Sequence, residues 1–223
     1  MAGFLIVYDK REKFSTASIF RKESCPGILS FRKNQGLEKK KAFCYDKEKH
    51  RECDIMNIQT ERLTITRFTM DMAEAVHLNS LDEDNRRFVP DEVFETVEEA
   101  ADTVSFLMGV YDNGDGPLVY PALLKDGTYI GYVQAVPFDD GTWEIGYHIG
   151  QDYTRKGYAT EAVKAFLPVI MPKLGLARIK GICLADNFAS RKVMERCGFV
   201  KEFEGVGPYQ GDQRPICRYW FAL

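Results

Sequence analysis

The sequence predicts an α/β protein of the α+β kind, with a central mixed and mostly antiparallel sheet of about seven strands. Short β-rich runs are separated by Asp-Gly turns, which are typical of antiparallel hairpins. Segments with apolar residues at helical spacing alternate with these runs. A strand, a loop, a helix and a second strand follow one another between residues 142 and 184. This unit predicts one right-handed parallel crossover in the sheet.

The length and composition of the chain are those of a globular protein with one full-sized core. Its 223 residues are 45% hydrophobic and 28% charged, with a formal net charge of -3. No apolar run approaches the roughly 18 residues needed to span a bilayer. The opening MAGFLIVY has no preceding basic region. We therefore predict no membrane segment and no signal peptide.

The cysteines and histidines do not have the spacing of a metal site. The six cysteines include no Cys-x-x-Cys pair, and the three histidines are scattered. Without an export signal, the thiols are expected to be reduced, as they are in the cytoplasm. The sequence thus predicts a cytoplasmic protein without a metal cofactor.

Charge divides the chain near Met56. Residues 1–55 contain 13 Lys and Arg against 8 Asp and Glu, whereas residues 56–223 contain 17 against 25. The first segment has no sustained period, so we interpret it as a poorly patterned, disordered extension. A basic arm for nucleic acid or a protein partner is one alternative. A natural start at Met56, with the upstream residues not native to the working protein, is another. The acidic domain that follows is a poor nucleic-acid binder and suits a cationic substrate.

The domain begins with a strand and a helix. Residues 61–68, ERLTITRF, alternate apolar and polar positions and predict a strand. Thr69 is placed to cap a helix through residues 71–81. The polar cluster Asp82–Asn85 should end that helix.

A second helix and an antiparallel meander follow. Thr96 and Glu99 have the spacing of a capping box, which predicts a helix over residues 97–110. Two β-rich runs flank residues 125–128, Lys-Asp-Gly-Thr, whose Asp-Gly pair is a typical hairpin turn. A further turn leads into a strand over residues 142–149.

The next helix should face the core. Apolar residues recur at helical spacing from Ala159 to Ile170. Pro168 should kink or weaken this helix, because proline lacks the N–H that the helix interior uses. Gly175 should end it, and residues 177–184 predict a buried strand.

The chain closes with a short helix and a hairpin. Asp186 or Asn187 should cap the helix, and Gly198 should end it. Two β-rich runs separated by residues 207–211 predict a final antiparallel pair.

The loop before the core-facing helix carries the clearest functional signal. Its sequence RKGYAT offers consecutive backbone N–H groups at a helix start, where such groups have no partner inside the helix. Gly157 lets the backbone turn and approach a ligand without a Cβ. Together with the helix dipole and two cationic side chains, these groups predict a phosphate site. A pyrophosphate-bearing cofactor is the ligand that such a site favours.

The order of elements and four stretches resemble the GCN5-related N-acetyltransferase (GNAT) superfamily. The stretches are QTERLTITRF, EIGYHI, RKGYATEA and ADNFASRKVMERCGF. They are most similar to the RimJ/RimL-type branch of ribosomal-protein N-acetyltransferases. The resemblance covers about residues 56–223. It implies a three-layer GNAT-like fold and an N-acetyltransferase that uses acetyl-CoA as co-substrate.

The resemblance also implies the residues that bind acetyl-CoA. Gly157 and Ala159 match the family pattern Gln/Arg-x-x-Gly-x-Gly/Ala, whose amides hold the pyrophosphate, whereas Thr154 stands at its Gln/Arg position. Ile149 is the expected backbone partner of the pantetheine arm, and Asn187 matches the helix-capping asparagine that faces this arm. The expected pyrophosphate residues are Arg155, Lys156, Gly157, Tyr158, Ala159 and Thr160.

Glu144 is the candidate general base, acting directly or through a water, because family members often place Glu on this strand. Period-two spacing puts Glu144, Gly146 and His148 on one face of the strand. The alternative for Glu144 is a solvated carboxylate on an exposed face. His148 is a candidate to share the base role and to bind substrate, and its alternative is a satisfied structural histidine.

The general acid is less clearly marked. Met194 stands where many family members have a tyrosine, so that role is vacant. Ser190 matches a serine of the ribosomal branch, and its alternative is a hydroxyl that bonds the backbone in the first helical turn. The segment VGPYQG lacks the glutamate that this branch uses near its last hairpin turn, which argues against a ribosomal protein as acceptor. Tyr209 in this segment is expected to line the acceptor pocket.

The sequence therefore predicts direct transfer of an acetyl group to a primary amine, most simply that of a small molecule. A protein N-terminal acetyltransferase is the first alternative. A non-catalytic acyl-CoA sensor that keeps the fold is the second. The expected partners are a small-molecule amine or a peptide N-terminus, with no nucleic acid and no membrane, and a homodimer is left open as the assembly.

Overall fold

The computed structural model describes residues 56–113, 116–138 and 140–223. Within them, eight strands form one sheet that five α-helices accompany. The strands are β1 (Ile58–Gln59), β2 (Leu63–Ile65), β3 (Leu118–Leu124), β4 (Tyr129–Pro137), β5 (Trp143–Ile149), β6 (Arg178–Leu184), β7 (Val200–Tyr209) and β8 (Asp212–Ala222). The helices are α1 (Ala73–Ser80), α2 (Glu83–Phe88), α3 (Val97–Asn113), α4 (Tyr158–Lys173) and α5 (Phe188–Arg196). The extension predicted over residues 1–55 lies outside the described residues.

The sheet confirms the predicted fold class. Its strand order is β1-β2-β3-β4-β5-β6-β8-β7, and neighbours are antiparallel except for β5 and β6. Helix α4 connects that parallel pair, as expected for a crossover unit. The additional strand is β1, which is only two residues long and too short to show a period. The strand predicted over residues 61–68 shortens to β2. None of the described helices is long and apolar enough to cross a membrane.

Each face of the sheet has its own apolar core. On one face, Phe166 and Ile170 of α4 pack in a cluster with strand residues that include Ile145. On the other face, Val104 of α3 packs in a separate cluster with Val119 of β3. The result is a three-layer arrangement of helices, sheet and helices.

Helix α4 runs through its prolines without ending. Pro168 and Pro172 both lie inside the helix from Tyr158 to Lys173, although a proline in a helix interior costs about 3 kcal/mol or more. The apolar side of the helix includes Phe166 and Ile170, both at 0% exposure. Burial of this face offsets the missing hydrogen bonds. Gly175, at φ 65°, ends α4 as predicted.

Two predictions at the beginning of the domain were wrong. The Thr69 side chain makes no capping hydrogen bond, and a 3₁₀ turn from Met70 to Met72 precedes α1. The cluster predicted to end a helix instead begins one, because the Asp82 carboxylate accepts a hydrogen bond from the Asn85 N–H and caps α2. A chain reversal and a helix start use the same polar residues, so the sequence did not distinguish them.

The other caps follow the sequence more closely. The Thr96 hydroxyl accepts from the Glu99 N–H at 3.2 Å, but the Glu99 carboxylate accepts from the Glu95 N–H instead of completing the box with Thr96. Asn187 caps α5 by accepting from the Ser190 N–H at 3.0 Å. Gly198, at φ 90°, follows the end of that helix.

The last hairpin is longer than predicted. Strands β7 and β8 are joined by a two-residue turn at Gln210 and Gly211, both with positive φ. Pro208 therefore lies inside β7, and the loop predicted over residues 207–211 was wrong. The sheet tolerates this proline because β7 is an edge strand, where one side of the backbone has no strand partner.

Gly131 joins β4 to the end of β5. Its φ is 147°, it lies opposite Ile149, and a Cβ at this position would overlap the backbone carbonyl of His148. The β3–β4 register shifts between Ala122 and Leu123, next to this glycine. Only glycine fits this close approach.

We expect Gly131→Ala to destabilise the fold by about 2–4 kcal/mol, because the new Cβ forces two backbones apart at a strained φ. Urea unfolding followed by circular dichroism measures the change as a lower midpoint. The control is Gly109→Ala in α3, where a Cβ meets nothing within 4 Å; it should be neutral or stabilising by up to about 1 kcal/mol. Equal midpoints for the two variants would contradict the close approach.

Candidate active site

The parallel pair β5 and β6 is joined only where it begins. Glu144 and Lys180 are the registered partners, whereas β4 and β5 pair along the whole of β5. Beyond Glu144, therefore, the strands diverge and open a cleft in the sheet.

The open edge of β5 presents backbone groups to this cleft. The Gly150 N–H donates to the Ile130 carbonyl, so Gly150 faces β4 and the alternation of the strand turns the Ile149 N–H and C=O the other way. That direction is toward β6, which has already diverged. Ile149 thus lies where an extended ligand could pair with its backbone, as the sequence predicts.

The start of α4 has no side-chain cap, in contrast to the starts of α2 and α5, which Asp82 and Asn187 cap. Gly157 is its N-cap at φ 86°, and no side chain caps the helix. Arg155 also has a positive φ, of 61°. Among the described residues, the N–H groups of positions 155–160 have no protein acceptor. The loop therefore presents a row of free amide donors at the positive end of the helix dipole.

Space above the loop is open. An ideal Cβ on Gly157 would meet only the Arg62 side chain, at 3.5 Å. The Lys156 ammonium folds back to donate to the Asp152 carbonyl at 2.9 Å, and the Thr154 hydroxyl donates to the Gln151 carbonyl. Since these side chains shape the loop and leave its amides accessible, the loop fits a pyrophosphate group.

Arg62 is part of this site and was missed by the sequence analysis. Its guanidinium donates to the Lys156 carbonyl at 2.9 Å, lies 2.5 Å from the Glu161 carboxylate, and stacks 4.5 Å over the Tyr158 ring. Burial alone raises the pKa of Glu161, but hydrogen bonds from Thr60 and Arg62 outweigh it and hold the pKa below its ordinary value. Arg62 thus places a cation beside the loop. The sequence analysis missed it because its partners in the structure lie far from it in the sequence.

One wall of the cleft carries Ser190 and Asn187 on α5. The Ser190 hydroxyl lies 2.9 Å from the Tyr147 hydroxyl, which also lies 3.0 Å from the Ser190 carbonyl. Burial raises the pKa of Tyr147 far above its ordinary value, so the phenol stays protonated. Tyr147 was not predicted as a site residue. Met194 is 2% exposed and belongs to the core.

The opposite face of β5 carries Glu144, which is buried at 9% exposure. Burial raises the pKa of Glu144 to about 8, even though the Lys180 charge and a hydrogen bond from the Ile182 N–H lower it. The alternative of a solvated carboxylate on an exposed face was therefore wrong. The carboxyl can hold or release a proton near neutral pH.

His148 shares this face but points to α1. Its Nε2 lies 3.1 Å from the Asn79 amide oxygen and 3.9 Å from the Asp82 carboxylate. Burial lowers its pKa to about 4, against the influence of Asp82 and Asp84, so the imidazole is neutral at pH 7. These contacts favour the structural interpretation of His148 over a role as base.

Tyr209 lies near Glu144, at the end of β7. Its hydroxyl donates to the Phe88 carbonyl at 3.4 Å, which connects the last hairpin to the end of α2. Burial raises its pKa, and the nearby carboxylates of Glu144 and Glu92 raise it further. Tyr209 is thus close enough to Glu144 and Glu92 to feel their charges, and its place in an acceptor pocket stays a prediction. No group of three or more potential metal ligands occurs in the described part of the chain.

The chain is similar to a known protein family and to several known proteins. The family model described as "Acetyltransferase (GNAT) domain" matches residues 62–200. The uncharacterized N-acetyltransferase YnaD of Bacillus subtilis (strain 168) is 32% identical over 149 residues, which is 66% of this chain and 84% of that protein. The putative ribosomal N-acetyltransferase YdaF of the same strain is 33% identical over 82 residues, which is 36% of this chain and 45% of that protein.

The solved structures that resemble this chain are also acetyltransferases. A GNAT-family acetyltransferase from Bacillus anthracis superimposes with a TM-score of 0.64 at 30% identity, covering 75% of this chain and 98% of that one. RimL, a ribosomal L7/L12 alpha-N-protein acetyltransferase in complex with coenzyme A, has a TM-score of 0.64 at 18% identity, with 76% and 98% covered, and shares the fold. The chain belongs to the GNAT acetyltransferase family and is an acetyl-CoA-dependent N-acetyltransferase.

Gly157→Asp should weaken acetyl-CoA binding by roughly tenfold or more, equivalent to about 1.4 kcal/mol. The new side chain crowds the amides at a positive φ and repels a phosphate. Calorimetric titration with acetyl-CoA measures the effect. Gly175→Asp is the matched control, because Gly175 has the same backbone conformation at the other end of α4 with open space around it. Unchanged affinity in Gly157→Asp would overturn the loop assignment.

Arg62→Met should also weaken binding, by roughly three- to tenfold, since it removes one exposed cation near the expected phosphates. Arg214→Met provides the comparison, because Arg214 pairs with Asp212 on the surface of the last hairpin. The affinities are compared at low and high salt. If Arg62 acts by charge, the difference between the variants shrinks as salt rises, and a salt-independent loss would point to loop distortion instead.

Proposed function

We propose that this enzyme transfers the acetyl group of acetyl-CoA directly to a primary amine of a small molecule, with Glu144 as the general base. The observation that carries the proposal is the buried Glu144 carboxyl, which sits where β5 and β6 part and has a pKa of about 8. No covalent enzyme intermediate is required, because the amine attacks the thioester itself.

For the cofactor, we propose that the amides of Arg155–Thr160 hold the pyrophosphate and that Arg62 adds a cation beside them. The Ile149 backbone would pair with the pantetheine arm along the open edge of β5, and Asn187 would face that arm from the start of α5. Bound in this way, acetyl-CoA supplies the activated acetyl thioester. The uncapped helix start and the free edge of β5 support this placement.

The base must remove a proton from the amine, whose ordinary pKa is about 10.4 for a lysine-like group. An ordinary carboxylate is a poor acceptor for such a proton. The desolvated Glu144 is a better one, because its raised pKa of about 8 brings it closer to that of the amine. The proton passes to Glu144 directly or through a water, and the neutral nitrogen attacks.

The leaving thiolate needs a proton donor, and the Ser190–Tyr147 pair is placed to provide one. The Tyr147 hydroxyl has one hydrogen and two acceptors at Ser190, the carbonyl and the hydroxyl oxygen. When Tyr147 donates to the hydroxyl oxygen, the Ser190 hydroxyl can donate its own proton, and the buried Cys183 sulfur is one acceptor within its reach. We propose that Ser190 then protonates the sulfur while Tyr147 stabilises the serine oxygen.

Contacts around the proposed acceptor site favour a small acceptor. The Tyr209–Phe88 hydrogen bond connects α2 to the last hairpin, and an ion pair of 2.7 Å between the exposed side chains of Arg87 and Asp186 connects α2 to the segment after β6. A peptide would have to part these contacts. Protein N-terminal acetylation is the second candidate, because RimL-type ribosomal-protein acetyltransferases share the fold.

A homodimer stays a prediction, and so does a cytoplasmic location. The latter is supported by the described cysteines Cys183, Cys197 and Cys217, which are all free.

The acceptor class is tested by thiol release from acetyl-CoA across a panel of small amines and peptides with free N-termini. We expect turnover with small amines and little with peptides. The reverse pattern would support N-terminal acetylation. Cofactor binding without turnover on any acceptor would support the non-catalytic sensor.

Glu144→Gln should lower kcat by about 10²–10⁴-fold and remove the rise of activity with pH. In the unaltered enzyme, Glu144 below its pKa is protonated and cannot accept the proton, so kcat should rise with pH and level off above about 8. The exposed Glu74→Gln is the control. A full rate for Glu144→Gln across this range would exclude Glu144 as the base.

Lys180→Met tests whether the ionisation of Glu144 sets the rise of kcat with pH. The Lys180 charge lowers the pKa of Glu144, so its removal should move the midpoint of the rise to higher pH. The measurement uses two amines of different pKa. If an enzyme group sets the rise of kcat with pH, the midpoint of that rise is the same with both amines. A midpoint that follows the amine and ignores Lys180→Met would contradict the assignment.

A further inference from the structure

A second carboxylate, on the 3₁₀ turn Pro90–Glu92, lies near Tyr209 and Gln134. Glu92 is partly exposed, and its carboxylate accepts a hydrogen bond from the Gln134 side chain. Among the described residues, no Lys, Arg or His forms an ion pair with it. Burial raises the pKa of Glu92 to about 7. A partly buried carboxylate without a paired cation carries a charge that a bound cation would neutralise.

Gln134 fixes Glu92 relative to the base. It is 4% exposed and lies on β4 opposite Gly146. A Cβ on Gly146 would approach the Gln134 amide nitrogen to 2.5 Å and its Cγ to 2.7 Å, so the Gln134 side chain crosses β5 at the glycine. Gly146 is two residues from Glu144, on the same face of the strand. Glu92, Gln134 and Glu144 therefore follow one another across one face of the sheet.

Tyr209 lies within electrostatic range of both carboxylates. After burial, the largest influence on its pKa is Glu144, and Glu92 and Asp91 also raise it. The cation nearest to Glu144, Lys180, lies 3.4 Å above the Phe138 ring and is shared with Asp140. When both carboxyl groups are ionised, their combined negative charge exceeds the single positive charge of Lys180, which Asp140 shares.

We propose that Glu92 is a specificity-determining residue that binds a second cationic group of the acceptor. The acceptor class is then a primary amine with another ammonium or guanidinium group on the same short chain. This inference rests on the proposed function, in which Glu144 takes a proton from the reacting amine. Glu92 meanwhile pairs with the group that stays charged, and this pairing holds the reacting nitrogen at the Glu144 end of the pocket.

The test uses two probes of equal chain length, 1,4-diaminobutane and n-butylamine, titrated into the full chain in the presence of coenzyme A. We expect the diamine to bind about tenfold or more tightly than the monoamine, and Glu92→Gln to remove that preference. Glu98→Gln makes the same chemical change at an exposed position at the start of α3. It should keep the preference, and so should Glu92→Asp in part, because it retains the charge.

Kinetics separate a role in binding from a role in folding. If Glu92 recognises the second cation, Glu92→Gln should raise KM for the diamine about tenfold, with kcat and the melting temperature nearly unchanged. Values for the monoamine should not move. Equal binding of the two probes to the unaltered enzyme, or a preference that survives Glu92→Gln, would overturn the inference. A diamine preference without any acetylation would keep the role of Glu92 in binding but reject the proposed function.

Discussion

The site depends on one backbone constraint, the divergence of β5 and β6 after the Glu144–Lys180 pair. Where the strands still pair, the neighbouring strand fixes the base through the Ile182 N–H and the Lys180 charge. Where they part, the backbone of β5 is exposed and the start of α4 follows within a few residues. A single interruption of the sheet therefore orders three parts in a line: the base, the edge for an extended ligand and the phosphate loop.

The two faces of β5 carry the side chains that we propose for the two substrates. The crossover places α4 and α5 on one face, so Tyr147 turns toward Ser190 and the cofactor side. The other face belongs to α1, α2 and the last hairpin, so Glu144 turns toward Tyr209 and the acceptor side. Because a strand alternates its side chains, adjacent residues can serve different substrates. The burial that raises the pKa of Glu144 also costs stability. Its pKa rises from 4.5 to about 8 on folding, so stability falls as pH increases from 4.5 to about 8.

The parts that the sequence predicted are those set by local chemistry. The Asp126–Gly127 hairpin, the Asn187 cap and the glycine of the phosphate loop each depend on residues that are close in the chain. Arg62, Tyr147 and Glu92 were missed because their partners lie far away in the sequence: Glu161, Ser190 and Gln134, respectively. No periodicity marks such residues. Pro208 led to a wrong prediction of a loop, because a proline is compatible with a strand only where that strand lies at an edge of the sheet.

The proposed phosphate loop and the proposed acceptor site use different kinds of atoms, and this difference affects specificity. In the proposed site, the loop over residues 155–160 binds phosphate through backbone amides, which do not depend on Thr154 at a position where the family has Gln or Arg. The proposed acceptor site uses side chains from a 3₁₀ turn, two central strands and a hairpin tip, and one substitution there would change its charge. Gln134 ties the turn to the sheet by occupying the space above Gly146. The segment between α2 and α3 is thus the part of the fold in which acceptor choice can change while the base and the cofactor cleft stay in place.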